Sequence, residues 1–132
     1  MMVRNEGNTM KELQSEYQCA INLVIDLIGG KWKVLLLWHL NEGDKRFNEL
    51  RRTIPEITKK MLTQQLRELE GHGLVKRTVF EEVPPRVVYS TTDFGRKLQP
   101  VLYGMCQWGD DYAEKEGIQM NSCWTGRDFM QK

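Results

Sequence analysis

The stretch TKKMLTQQLRELEGHG, residues 58–73, decides how this chain is read. Leu62, Leu66 and Leu69 recur at three- and four-residue spacing, the mark of a helix with one apolar face. Lys60, Thr63, Gln64 and Arg67 follow the same spacing on another face, as a polar stripe about 100° wide. Thr58 is a good N-cap, and Gly71-His72-Gly73 supplies a glycine stop at the other end. The polar types suit DNA. Glutamine can read adenine edges, arginine can read guanine or grip phosphate, and threonine can bond to a base or touch a thymine methyl. Thr58 and Lys59 stand at the helix N-terminus, where base-reading residues usually lie. A solvated amphipathic helix would explain this stretch by itself, so its neighbours have to decide.

Upstream, Arg46 to Thr53 reads as a short helix with Phe47, Leu50 and Ile54 on one face, ended by Pro55. Downstream, Leu74–Phe80 and Val87–Thr91 are β-like runs joined by a turn, residues 81–86. A short helix, a proline-marked turn, a second helix and a hairpin make the winged helix-turn-helix layout. In it the second helix enters the major groove and the hairpin reaches the backbone or minor groove. The expected fold is therefore α+β, mainly α. On this reading Arg46, Thr58, Lys59, Lys60, Thr63, Gln64 and Arg67 form the DNA face. Arg77 and Arg86 are the wing cations, with Lys76 beside them. Edge strands also carry such charges simply to block aggregation. Glu81 and Glu82 at the wing tip would repel DNA, which leaves contact to the strand edges and Arg86.

Further out, Ile21, Val24, Ile25 and Ile28 predict a helix from about Cys19 that stops at Gly29-Gly30. A second helix, about Lys31 to Asn41, is apolar nearly all round and should be the most buried element. Residues 1–15 read as a polar arm, partly helical near Met10 to Glu16. Beyond the hairpin, Thr92 caps a long helix, about Asp93 to Glu116, with a kink or break expected near Pro100. It would span about 36 Å. Leu98, Val101, Leu102, Met105, Trp108 and Tyr112 lie close to a heptad seam, which predicts a homodimer. The expected divisions are an arm at 1–18, a DNA-binding domain at 19–116 and a tail at 117–132.

Composition excludes several classes. The chain has 132 residues, 40% apolar and 28% charged, as expected for one globular domain. Its longest apolar run, Val34 to Trp38, is far short of a membrane span, and no secretory signal stands at the N-terminus; the expected location is cytoplasmic. The net charge of +1 is unevenly placed. Residues 44–97 hold 12 Lys and Arg against 8 Asp and Glu, and the remainder holds 7 against 10. A basic middle between acidic flanks fits a phosphate-facing surface. Cys19, Cys106 and Cys123 show neither disulfide-framework nor zinc spacing. No phosphate-binding glycine loop, HExxH or GxSxG is present. His39 and His72 read as structural. No metal, cofactor or catalytic residue is expected, and the chain is not read as an enzyme. The alternative to a DNA binder is a winged-helix protein-interaction module.

These elements resemble the HxlR-type transcriptional regulators of bacteria and archaea. The matching strings are DLIGGKW (26–32), RFNELRR (46–52), LRELE (66–70), GLVKR (73–77), EVPPRV (82–87) and YSTTDFG (89–95), and the resemblance spans about Cys19 to Tyr112. It implies a homodimer that binds double-stranded DNA, with dimer contacts from the first helix (Ile21, Val24, Ile25) as well as the last. Several such regulators sense electrophiles or oxidants through one cysteine just before the first core helix. Cys19 holds that position, followed by Ala20 where Cys-Pro is common. The positive end of a helix also favours a thiolate placed there. Cys106 reads as a core or interface residue, and Cys123 as a possible resolving partner.

Overall fold

A computed structural model describes residues 12–121. In chain order the elements are α1 (Ala20–Ile28), α2 (Trp32–Glu42), β1 (Lys45–Arg46), α3 (Phe47–Thr53), α4 (Lys59–Gly71), β2 (Val75–Phe80), β3 (Arg86–Thr91), α5 (Asp93–Arg96) and α6 (Gln99–Glu116). This is the mainly helical winged helix-turn-helix expected from the sequence. The described residues divide into two units between Arg96 and Lys97.

In the first unit the apolar faces meet as their spacing requires. Leu36, Leu37 and Leu40 of α2, Leu50 of α3, and Leu62, Leu66 and Leu69 of α4 are all at most 2% exposed. Each such leucine contributes about 1.5–3 kcal/mol relative to an exposed one. Thr58 caps α4 as expected, its side chain accepting from the Met61 N–H at 3.0 Å. The sheet is antiparallel with order β1-β3-β2. The register pairs Val75 with Thr91 and Phe80 with Arg86, so residues 81–85 form the wing tip. The base of the hairpin is closed by Thr92. Its hydroxyl donates to the Gly73 carbonyl at 2.6 Å and accepts from the Gly95 N–H at 2.9 Å. Both glycines are required. Gly73 has φ +78°, and a Cβ on Gly95 would lie 2.2 Å from the Leu74 carbonyl oxygen.

Several expectations change. Residues 12–18 are not helical; this segment is tied down instead by Tyr17, whose hydroxyl donates to the Asp26 carboxylate at 2.6 Å. That bond raises the Tyr17 pKa, since losing the proton would set two anions side by side. The second helix is not buried all round. Leu35 is exposed, whereas Lys33 is buried because its ammonium finds a carboxylate inside. Strand β1 was not expected, since two residues carry no periodic signal.

The long last helix is two helices. α5 ends at Arg96, and α6 begins at Gln99 with Pro100 in its first turn, where the missing proline N–H costs no hydrogen bond. α6 has 18 residues and so spans about 27 Å, not 36 Å. Among its residues Leu102 and Ala113 are buried.

Candidate nucleic-acid interface

The polar stripe of α4 stands at the surface of the first unit. Lys59, Lys60 and Arg67 are exposed, and Thr63 and Gln64 are half-buried. Two of these side chains are already engaged. The Thr63 hydroxyl donates to the Lys59 carbonyl at 2.9 Å. Gln64 Nε2 donates to Glu68 Oε2 at 3.3 Å. Glu68 is in turn paired with Lys33, both side chains being 8% exposed. Sequence reasoning missed this pair. The available signals were a single lysine inside an apolar helix and an acid one turn beyond Gln64.

The helix and the hairpin share a groove. Thr63, Leu66, Arg67 and Glu70 of α4 line an open cavity of about 400 Å³ together with Arg77 of β2 and Tyr89 of β3. The register explains the strand side, because Arg77 is paired with Tyr89. A second open cavity, of about 470 Å³, brings Arg46 of β1 and Arg52 of α3 to Pro85 and Val87 of the wing. The Arg46 backbone N–H donates to Glu49 at 2.7 Å, which fixes Arg46 as the N-cap residue of α3. Arg86 behaves differently from the other cations. Its guanidinium bonds Glu82 at 3.1 Å and lies 4.1 Å over the Phe80 ring. It is thus partly neutralised inside the wing, whereas Lys76 and Arg77 are exposed and bond to no carboxylate among the described residues.

The residues expected at a dimer interface divide into two groups. On α1, Ile21 and Ile25 are 63% and 55% exposed, and Val24 is exposed too, while Ile28 is buried. On α6, Val101, Met105, Trp108 and Tyr112 are exposed, with Trp108 and Tyr112 stacked at 5.5 Å between ring centroids. Leu102 is buried at 2% exposure and does not belong to that exposed stripe; its 100° offset from Val101 turns it to the other face. Leu98 is the half-buried N-cap residue of α6.

Cys19 is exposed and is the N-cap residue of α1, where its carbonyl accepts from the Asn22 N–H at 3.0 Å. Cys106 is half-buried, and Cys123 lies outside the described residues. His39 is half-buried; burial lowers its pKa, and Glu42 at 3.6 Å offsets only part of that. Among the described residues no cluster of His, Cys, Asp or Glu could hold a metal ion. No described helix is long and apolar enough to cross a membrane.

Comparison with known proteins gives concordant results. Residues 27–117 match the model for the HxlR-like helix-turn-helix family. The helix-turn-helix transcriptional regulator YdeP of Bacillus subtilis is 53% identical over 97 residues, covering 74% of this chain and 76% of that protein. Among solved structures, the reduced form of the redox regulator HypR is similar with a TM-score of 0.72 and 48% identity, covering 76% of this chain and all of that one. Quinone-bound YodB of B. subtilis is similar with a TM-score of 0.60 and 36% identity, over 70% of this chain and 97% of that one.

Proposed function

The chain belongs to the HxlR-like helix-turn-helix family and is a transcriptional regulator rather than an enzyme, and from that premise we propose that it represses transcription as a cytoplasmic homodimer on a palindromic operator. The observation that carries this reading is the groove in which Thr63 and Arg67 of α4 meet Arg77 of the hairpin. Phosphate-seeking and base-reading groups stand together there, as a protein approaching the major groove requires. Thr58 at its N-cap and Lys59, Lys60 and Gln64 of α4 extend that face, with Arg46 at the end of β1. Arg86 serves by shaping the wing, since Glu82 already holds it. Residues 19–116 form the DNA-binding domain, with an arm before it and a tail after it.

The exposed apolar residues of α1 and those of α6 (Val101, Met105, Trp108, Tyr112) support pairing with a second copy. Two recognition helices would then lie about 34 Å apart, one turn of DNA. Cys19 is the sensor of electrophiles or oxidants on this reading. Its exposure at the start of α1 supports the role, as does the likeness to a redox regulator and to a protein solved with bound quinone.

The test is selection of bound DNA from a random pool, with and without diamide. A palindromic site whose binding falls steeply with salt is expected. Binding should respond to diamide in the native protein and not in Cys19→Ser. An equal response in both variants rules out this sensor. Failure to select any sequence would favour the protein-interaction module instead.

A further inference from the structure

Three side chains at the candidate interface are joined in a way that DNA contact alone does not require. Lys33 Nζ on α2 lies 2.5 Å from Glu68 Oε1 on α4, with both side chains 8% exposed. The other carboxylate oxygen, Oε2, accepts from Nε2 of Gln64 at 3.3 Å, one turn earlier on α4. A charge this far from water keeps its partner, because a buried unpaired ion is far costlier than the pair. Glu68 is therefore held from beneath by a different helix. An ionised carboxylate only accepts hydrogen bonds, so Gln64 can meet it only through its NH₂ group. That leaves Gln64 one N–H and its Oε1, which accepts no hydrogen bond among the described residues.

We propose that the Lys33–Glu68 pair is a positioning device that fixes the amide of Gln64 to read adenine in the major groove. This rests on the reading of α4 as the helix that enters the groove. Adenine presents its N6 amino donor beside its N7 acceptor. Gln64 held by Glu68 offers Oε1 to the amino group and its second Nε2 hydrogen to N7. Guanine presents the acceptor O6 at the same place, so two acceptors would face each other. A free glutamine escapes that conflict by turning its NH₂ group to donate to both O6 and N7. Gln64 cannot do so without giving up its bond to Glu68, because one of its two Nε2 hydrogens is already spent there. The buried pair thus makes an adaptable side chain discriminating. Lys33 and Glu68 touch no base themselves.

A site selected by the full chain from random DNA is the starting point, and affinities on it are read by fluorescence anisotropy. Gln64→Ala should abolish an adenine preference at one position in each half-site. At that position, adenine-to-guanine exchange should weaken wild-type binding by about tenfold or more. In Lys33→Met/Glu68→Leu, which replaces the pair by apolar side chains of similar size, the same exchange should cost less than about threefold. A second arm uses the wild-type protein alone. Purine, which lacks the 6-amino group, and 7-deazaadenine, which lacks N7, should each weaken binding by about fivefold or more at that position. Full discrimination against guanine in a folded double variant would overturn the positioning role while leaving Gln64 as a reader. If circular dichroism shows that the double variant does not fold, the analogue arm decides, and tolerance of both analogues overturns the proposal. An unchanged base profile in Gln64→Ala overturns it differently, because the α4 face itself would then not read DNA.

Discussion

α4 and α6 are both amphipathic helices, yet they present opposite faces to solvent. α4 buries Leu62, Leu66 and Leu69 and leaves Lys59, Lys60 and Arg67 exposed. α6 buries Leu102 and Ala113 and leaves Val101, Met105, Trp108 and Tyr112 exposed. The difference teaches what each helix requires from outside. An exposed cationic face is content in water and gains from a polyanion. An exposed stripe of large apolar side chains at regular spacing gains only from an apolar partner, and a second α6 offers the matching chemistry. On the proposed reading, one helix makes the protein a DNA reader and the other makes it a dimer.

The sharpest way to break this contrast is to remove the internal support of α4. Glu68→Ala strands the Lys33 ammonium, and stability should fall by about 3–5 kcal/mol in urea unfolding. A small loss would mean that water reaches the pair and that α4 is not anchored from below. Trp108→Ala should do the reverse. It should leave the circular dichroism spectrum of the chain unchanged and weaken self-association by about 2 kcal/mol or more in sedimentation equilibrium. If association is unaffected, the apolar stripe of α6 is not the seam. Arg67→Ala should change neither folding nor association, and should cost about 1–3 kcal/mol of operator affinity, with a shallower salt dependence if its contact is a phosphate.

The smallest effect belongs to α2, which packs against α4. Burial lowers the pKa of His39 below its ordinary 6.5. The unfolded chain then takes up the proton first as pH falls. Stability is fully present above pH 6.5 and is lost as pH drops from there towards the folded value. His39→Leu should flatten that slope in pH-dependent thermal unfolding. A slope unchanged in the variant would assign it to another group.

The parts of the fold that were legible are those written in long periodic patterns. α4 was readable from three leucines, a threonine cap and a glycine stop, and the hairpin from two β-branched runs around a Pro-Pro turn. The illegible parts depend on contacts distant in sequence. Lys33 and Glu68 are 35 residues apart, and nothing local marks either as the partner of the other. β1 exists only because Lys45 and Arg46 pair with Tyr89 and Val88. Pro100 signalled an interruption correctly. The structure then showed a new helix start, which is the position where proline is at ease. Val101 and Leu102 were equally apolar in sequence, and only burial separates the exposed residue from the hidden one.

The Thr92 hydroxyl has a consequence for how the wing moves. Its two hydrogen bonds, with the Thr92 N–H to the Leu74 carbonyl, pin the base of the hairpin where β3 leaves the sheet. The tip at residues 81–85 has no ladder bond across it. The hairpin is therefore a cantilever with a fixed root. Amide protons near Val75 and Thr91 should exchange with solvent slowly and those nearest Phe80 and Arg86 quickly, in a graded series along the strands. On the proposed reading, such a gradient would let the wing adjust its reach to the local width of a DNA groove without disturbing the helix beside it.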